Sequence, residues 1–161
     1  MNTISTAKRV AGLLVLSLAA LSLSSCGDET TPQGATISAP GDLTVTYSNS
    51  GGGTDGTASP LAFQVLDASG NPVPGVTIRF FAGGAVFMLS DRTGGTALNG
   101  ADATLFETTT DDQGLSPTDV YAQWVVPACS AAEDISVNGT VTASVGVATA
   151  IWTVNVTASQ C

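Results

Sequence analysis

The sequence predicts an all-β protein that folds as a two-layer antiparallel sandwich of about seven strands. After residue 34, apolar residues alternate with Thr, Ser and other polar residues in one short segment after another, as in Leu43-Thr44-Val45. A period of two places one set of side chains on a core and the other in water. Gly, Asn, Asp and Pro separate these segments, and no segment of this part shows helical periodicity, which together favours two packed sheets.

The first 25 residues have the pattern of an export signal. Lys8 and Arg9 precede an apolar run from Val10 to Leu23, which is shorter than the roughly 20 residues that a membrane-spanning helix needs. The next segment, Leu23-Ser24-Ser25-Cys26, is similar to the lipobox of bacterial lipoproteins. The resemblance implies cleavage after residue 25 and lipid attachment to the thiol of Cys26. A second interpretation is an ordinary secretory signal in which the cysteine is incidental.

The lipid would anchor the rest of the chain in the cell envelope, with several acyl chains because one alone binds only marginally. In enterobacterial lipoproteins an aspartate directly after the cysteine retains the protein in the inner membrane. Gly27 stands there instead, so the resemblance implies the outer membrane, on its periplasmic face or at the cell surface. Residues 26–34 predict a flexible tether, and residues 35–161 are long enough for one domain.

The mature chain is strongly acidic. Removal of residues 1–25 leaves 136 residues, in which Arg79 and Arg92 stand against 13 acidic residues, a formal charge near −11. This part contains no Lys and no His. Such a surface repels nucleic acid and anionic lipid headgroups, so we exclude nucleic acid as a partner bound by charge.

The predicted strands follow one another along the domain, and a Gly/Ser/Thr-rich loop is predicted at residues 48–59. Trp124 and Trp152 lie on the alternating face, which favours core packing over a ligand-stacking pair. The strands centre on Leu43 to Tyr47, Leu61 to Leu66, Val76 to Phe80, Thr104 to Thr109, Val120 to Val126, Val137 to Val145, and Trp152 to Val156.

The alternating pattern stops between Ala82 and Ala103, and a connection of this length is often functional or disordered. Its apolar segment has two interpretations. It is either a short extra strand or, if it is exposed, the best candidate contact patch of the molecule. The segment consists of Val86, Phe87, Met88 and Leu89.

Two cysteines remain once Cys26 carries lipid. In an oxidising compartment, Cys129 and Cys161 predict one disulfide, which would stabilise the fold by roughly 3–4 kcal/mol. Two unpaired thiols, or a bond to a partner chain, are the alternatives.

Three segments resemble bacterial immunoglobulin-like (Ig-like) domains of the invasin and intimin type. The first is Asp67 to Phe80, whose Gly-Asn-Pro-Val-Pro-Gly turn forces a change of direction, because its prolines cannot donate ladder hydrogen bonds. The second is Thr108 to Leu115, with the pattern Thr-Asp-x-x-Gly, and a looser third is Thr140 to Val145. The resemblance covers about residues 35–158 and implies an Ig-like sandwich. Family members usually occur in tandem arrays, whereas this chain holds one copy, so a role as a long stalk is not implied.

The residues argue against enzymatic chemistry. Without His or Lys, the mature chain has no Ser-His-Asp triad, Cys-His pair or histidine metal site. Asp67, Asp111 and Asp112 are the carboxylates that a glycosidase would use, but each lies in a turn signature where Asp caps the backbone. Calcium is a stronger alternative, with Asp91 and Asp102 as further oxygen ligands, although no EF-hand or calcium repeat is present. We therefore predict no catalytic residue, metal or cofactor.

These observations predict a membrane-anchored, non-enzymatic module of the cell envelope for protein–protein contact or adhesion. One alternative is a structural accessory subunit of an envelope or filament assembly, and another is a carbohydrate- or calcium-binding module. The Ig architecture hosts many roles, so the step from fold to function rests on the resemblance.

Overall fold

A computed structural model of the chain describes residues 31–48, 50–57, 61–90, 95–100, 103–116, 120–129 and 133–159. These residues form eleven β-strands and no helix, which confirms the all-β class, with more strands than the predicted seven. None of the described segments is a helix that could span a bilayer. The strands are β1 (Thr36–Ser38), β2 (Leu43–Ser48), β3 (Gly51–Thr57), β4 (Gln64–Leu66), β5 (Thr77–Gly84), β6 (Val86–Ser90), β7 (Thr96–Ala97), β8 (Leu105–Thr109), β9 (Tyr121–Ala128), β10 (Ile135–Val145) and β11 (Ala148–Ser159).

The larger layer is a six-stranded sheet in the order β2-β11-β10-β5-β8-β7. Its longest strands, β10 and β11, form a hairpin that is paired from Ile135↔Ala158 to Val145↔Ala148. Valines alternate with polar residues in both strands, so the valines face the core and the polar residues face outward. β-Branched residues suit such a pleated, half-buried surface.

One edge of this sheet departs from the antiparallel arrangement that the sequence predicted. β2 runs parallel to β11, in register from Val154↔Leu43 to Ser159↔Ser48. The chain reaches this edge from β1, which pairs with β4 instead. Pro40, which cannot donate a ladder hydrogen bond, lies between β1 and β2 and helps to end the first pairing.

The second layer consists of the three-stranded sheet β3-β9-β6 and the short pair β1-β4. β9 and β1 each pack against β10 and β11, so the layers enclose one core. Trp152, Phe63, Phe80 and Phe106 are its largest buried aromatic side chains. The ring centroid of Phe80 lies 5.3 Å from that of Phe63 and 6.1 Å from that of Phe106. The described residues are thus arranged as a β-sandwich.

The chain passes from the larger layer to the smaller one between β5 and β6. At the crossing Gly84 has a φ of +65°, and the N–H of Ala85 donates to the carbonyl of Asn138 at 2.9 Å. A Cβ on Gly84 would lie 2.5 Å from that same carbonyl oxygen, and a Cβ on Gly139 would lie 2.6 Å from the backbone nitrogen of Val86. The approach of the two backbones therefore requires glycine on both sides.

Residues 48–59 and the connection after Ala82 both contain strands. β3 occupies most of residues 48–59, where the prediction of a loop was wrong, and it pairs with β9 from Gly51↔Ala128 to Thr57↔Ala122. Glycines carry no alternating pattern, so the pairing with β9, and not the local sequence, defines this strand. The long connection after Ala82 contains β6 and the short β7.

Candidate functional site

Asp67 and Asp111 each organise a tight turn. Oδ1 of Asp67 accepts hydrogen bonds from the backbone N–H groups of Ser69 and Asn71, both at 2.8 Å, and Oδ2 accepts one from the Asn71 side chain at 3.1 Å. The backbone and side-chain N–H groups of Asn71 hold the pKa of Asp67 below its usual value. Oδ1 of Asp111 likewise accepts from the backbone N–H groups of Gln113 at 2.8 Å and Leu115 at 3.0 Å. Both carboxylates therefore cap backbone donors.

The two turns are also joined to each other. The carbonyl of Gly114 accepts a hydrogen bond from the N–H of Val65 at 2.7 Å. The buried Thr110 hydroxyl donates to the carbonyl of Val73 at 2.7 Å and accepts from the N–H of Val76 at 3.1 Å. Gly114 has a φ of +68°, and a Cβ there would lie 2.5 Å from the carbonyl oxygen of Val65. Residues of the two motifs, Asp67 to Phe80 and Thr108 to Leu115, thus hold the turns and the neighbouring strands together.

The other acidic residues considered for a glycosidase or calcium site are Asp112, Asp91 and Asp102. Asp112 lies in the same turn as Asp111, next to the capping carboxylate. In the part of the chain that the structure describes, no three of the His, Cys, Asp and Glu residues gather closely enough to hold a metal ion. Asp91 and Asp102 lie outside the described residues.

Both tryptophans lie in the core, as the alternating pattern predicted. Trp152 is fully buried, and its indole N–H donates to the carbonyl of Gly41 at 3.0 Å. Trp124 is also buried, and its indole N–H donates to the Tyr47 hydroxyl at 3.3 Å. That hydroxyl donates in turn to a carboxylate oxygen of Asp55. Burial and the hydrogen bond to Asp55 raise the pKa of Tyr47. The indole rings serve packing, so they do not present an open stacking surface.

The segment considered as a contact patch forms strand β6. Val86 and Leu89 are buried in the core, which excludes them as contact residues of the folded protein. Phe87 is half-buried, and the side chain of Met88 lies outside the described residues. The fold therefore supports the extra-strand interpretation, and a contact role for the buried Val86 and Leu89 is wrong.

The cysteines are only partly described. Cys129 follows β9, and its Sγ lies 3.8 Å from the carbonyl oxygen of Ser159, two residues before Cys161. Cys26, the predicted signal segment and Cys161 lie outside the described residues.

The last residues of the predicted tether lie against the domain. The N–H of Ala35 donates to the carbonyl of Pro32 at 3.0 Å, which closes a turn. Residues 31–35 line a groove of about 260 Å³ together with residues 145–148, at the tip of the β10–β11 hairpin. Thr31 borders Gly146 there, since a Cβ on that glycine would lie 3.3 Å from Cγ2 of Thr31. The chain thus enters the domain at one end of its longest strands.

An exposed apolar row crosses the outer face of the six-stranded sheet, and the sequence reasoning missed it. Register places Leu105 of β8 beside Phe81 of β5, Phe81 beside Thr142 of β10, and Thr142 beside Ile151 of β11. Phe81 is 53% exposed, Leu105 40% and Ile151 58%. Leu98 extends the row, because its N–H donates to the carbonyl of Leu105 at 2.7 Å. We call Leu98, Leu105, Phe81, Thr142 and Ile151 the apolar row; Thr142 is its one polar member.

The surroundings of the apolar row carry little net charge. On one side lie Arg79 and Glu107, whose Nε and Oε2 atoms are 3.6 Å apart. On the other side, register places Gly83 beside Thr140 and Thr140 beside Thr153. Asp42 lies near the β2 edge, where its carboxylate accepts from the N–H of Thr153 at 2.9 Å.

No family model matches the chain, and the comparison with curated proteins found no match either. The functional argument therefore rests on the residues themselves and on the surfaces that the fold exposes.

Proposed function

We propose that this protein is a lipid-anchored, non-enzymatic module of the cell envelope, whose single Ig-like domain contacts other proteins through the apolar row. The row is the observation that carries the proposal. Contiguous exposed apolar surface on a soluble domain marks an interaction site, and here it occurs in a mature chain with a formal charge near −11.

The entry point of the chain supports the anchored arrangement. Thr31 lies five residues after Cys26, a reach of at most about 18 Å. Thr31 borders the tip of the β10–β11 hairpin. A lipid on Cys26 would therefore keep this end of the β10–β11 hairpin near the membrane, and with the strands end-on to the membrane the faces of the sheets turn sideways. The apolar row would then face neighbouring molecules in the same membrane.

The proposal includes a disulfide between Cys129 and Cys161. Its support is the position of the Cys129 Sγ, 3.8 Å from the carbonyl oxygen of Ser159, because two more residues bring the chain to Cys161. The bond would close a loop over β10 and β11 and tie down the carboxyl-terminal segment.

Acylation is tested by mass spectrometry of the membrane fraction from cells that express the full chain. We expect a mature protein that begins at an acylated Cys26, and we expect Cys26→Ser to leave the membrane fraction. Detection of an unmodified cysteine in the mature protein would contradict the anchor.

Contact is tested by crosslinking intact cells. Wild-type protein should give a defined crosslinked product, which Phe81→Asp removes. Val125→Asp is the matched control, because Val125 is 42% exposed but lies on β9 in the other layer. A product that survives Phe81→Asp would remove the apolar row from the proposal.

A further inference from the structure

We infer that the apolar row binds a second copy of this chain, face to face, about a two-fold axis that runs along the strands. The inference rests on the proposed function, because the lipid anchor is what turns the row toward neighbours in the same membrane. Two copies anchored in one membrane share the same upright direction. A two-fold axis along the membrane normal keeps that direction and reverses the order of the strands across the interface.

The order of residues in the apolar row suits this reversal. The central positions read Leu105, Phe81, Thr142 and Ile151 across four neighbouring strands. Reversal about the midpoint places Leu105 of one copy opposite Ile151 of the other. It also places the large Phe81 side chain of one copy opposite the smaller Thr142 side chain of the other. Each aromatic ring therefore meets a residue that leaves room for it. The interface is therefore complementary to itself, as a two-fold contact requires.

The midpoint of these four central positions is also the midpoint of the sheet. In the order β2-β11-β10-β5-β8-β7, the axis falls between β10 and β5, with three strands on each side. Reversal therefore superposes the outer strands of one copy on the outer strands of the other and leaves no part of the sheet overhanging. The contact closes after two copies and does not propagate into a filament.

Each copy carries a formal charge near −11, which opposes self-association at low ionic strength, but the sheet face around the apolar row is locally nearly neutral. Reversal places Arg79 opposite Ser144 of the second copy, and Glu107 opposite Thr149, according to the register of β10 with its neighbours. Among the described residues, these reversed positions bring no like charges together next to the row. Asp67 and Asp111 instead lie in turns, and a basic protein would be steered to acidic turns of this kind and not to a nearly neutral sheet face.

The expected contact is weak in solution and stronger on a membrane. Five strand positions span about 19 Å and eight residues of β5 about 27 Å, which gives roughly 500 Å² per copy and about 1,000 Å² in total. This area lies at the lower limit for a specific interface. Anchoring both copies in one membrane raises their effective concentration, so a weak contact suffices there.

The test is sedimentation velocity of the mature chain, from residue 26 onward, carrying Cys26→Ser. This substitution removes the acyl chains and prevents a stray disulfide through that thiol. Samples from about 1 µM to about 1 mM cover the range expected of a small interface. We expect a monomer at the lowest concentration and a dimer at the highest.

Two variants in the row and two controls make the test specific. Phe81→Asp and Ile151→Asp place charge at outward positions, and each should raise the dissociation constant at least about tenfold. Val125→Asp and Val147→Asp should leave it within about twofold. Val125 and Val147 are 42% and 102% exposed, but neither lies in the row. Circular dichroism checks that every variant is folded.

The possible results are distinct. A wild-type chain that stays monomeric throughout, a species larger than a dimer, or control variants as damaging as the row variants would each overturn the two-fold contact. If Cys26 is acylated and Phe81→Asp removes a cellular crosslink to a different protein while the chain stays monomeric, the inference fails and the proposed function stands. If Cys26 carries no lipid, the proposed function fails on its own measurement.

Discussion

Replacement of Gly139 by alanine tests how the two layers are joined. A Cβ at this position would lie 2.5 Å from Cγ2 of Val86 and 2.6 Å from the backbone nitrogen of Val86. A rotamer change can relieve the first contact but not the second. Strand β6 would therefore have to move away from β10, together with the buried Leu89 on the same strand. Insertion of one methyl group into a packed interior of this kind costs about 1–3 kcal/mol.

This cost converts into a measurable change of melting temperature. The unfolding entropy is about 2.1 cal/mol/K per residue, which for the 136 residues after the predicted signal segment gives about 0.29 kcal/mol/K. Each kcal/mol then lowers Tm by about 3.5 °C, so Gly139→Ala should lower Tm by about 3–10 °C. The direction is informative, because glycine inside a strand is otherwise unfavourable and alanine would raise stability if the space were open.

Thermal unfolding followed by circular dichroism measures the effect, and Gly83→Ala is the matched control. A Cβ on Gly83 would meet no atom closer than 3.6 Å, and this residue lies on β5 next to the crossing. Its effect should stay within about 0.5 kcal/mol. The reasoning is refuted if Gly139→Ala melts within about 1 °C of the wild type, or if the control loses as much stability.

Two further predictions concern polar and covalent links. Because hydrogen bonds lower the pKa of Asp67 in the folded state, its contribution to stability is present above the unfolded pKa of about 3.9 and is lost as the pH falls through the folded value. Asp67→Asn should therefore flatten the dependence of the unfolding free energy on pH below about pH 4, and an unchanged slope would contradict this assignment. If Cys129 and Cys161 form the proposed disulfide, reduction should lower the unfolding free energy by about 3–4 kcal/mol. The same treatment should leave the double variant Cys129→Ser/Cys161→Ser unaffected. Peptide mapping that pairs either cysteine elsewhere would refute the proposed bond.

The strands with a clear alternating pattern could be predicted from the sequence. Val141, Ala143 and Val145 alternate with Thr142 and Ser144, and the structure buries the first set. β3 could not be predicted in this way, because its sequence, Gly-Gly-Gly-Thr-Asp-Gly-Thr, contains no side chain that distinguishes a core face. Its position depends on pairing with β9, which is distant in sequence.

The apolar row could be predicted only in part. Phe80 faces the core, so alternation alone places Phe81 on the outer face. The same argument turns Leu105 and Ile151 outward, beside the buried Phe106 and Trp152. The tight β10–β11 hairpin sets Thr142 beside Ile151 locally. What the sequence does not contain is the register of β5 with β10 and β8, because these strands are far apart along the chain. The row is therefore a property of the tertiary fold.

The turns and the outer face of the six-stranded sheet have different roles, so mutations can separate contact from stability. The polar atoms of Asp67, Asp111 and Thr110 are committed to backbone groups that hold the turns together, so their replacement perturbs the fold before it perturbs a partner. Phe81 has no such commitment, because its side chain is 53% exposed and lies outside the core. Gly139→Ala should therefore lower Tm without changing the row, whereas Phe81→Asp should weaken association without a comparable loss of Tm. Loss of both properties in Phe81→Asp would mean that the row also stabilises the single domain, and the separation of contact from stability would be refuted.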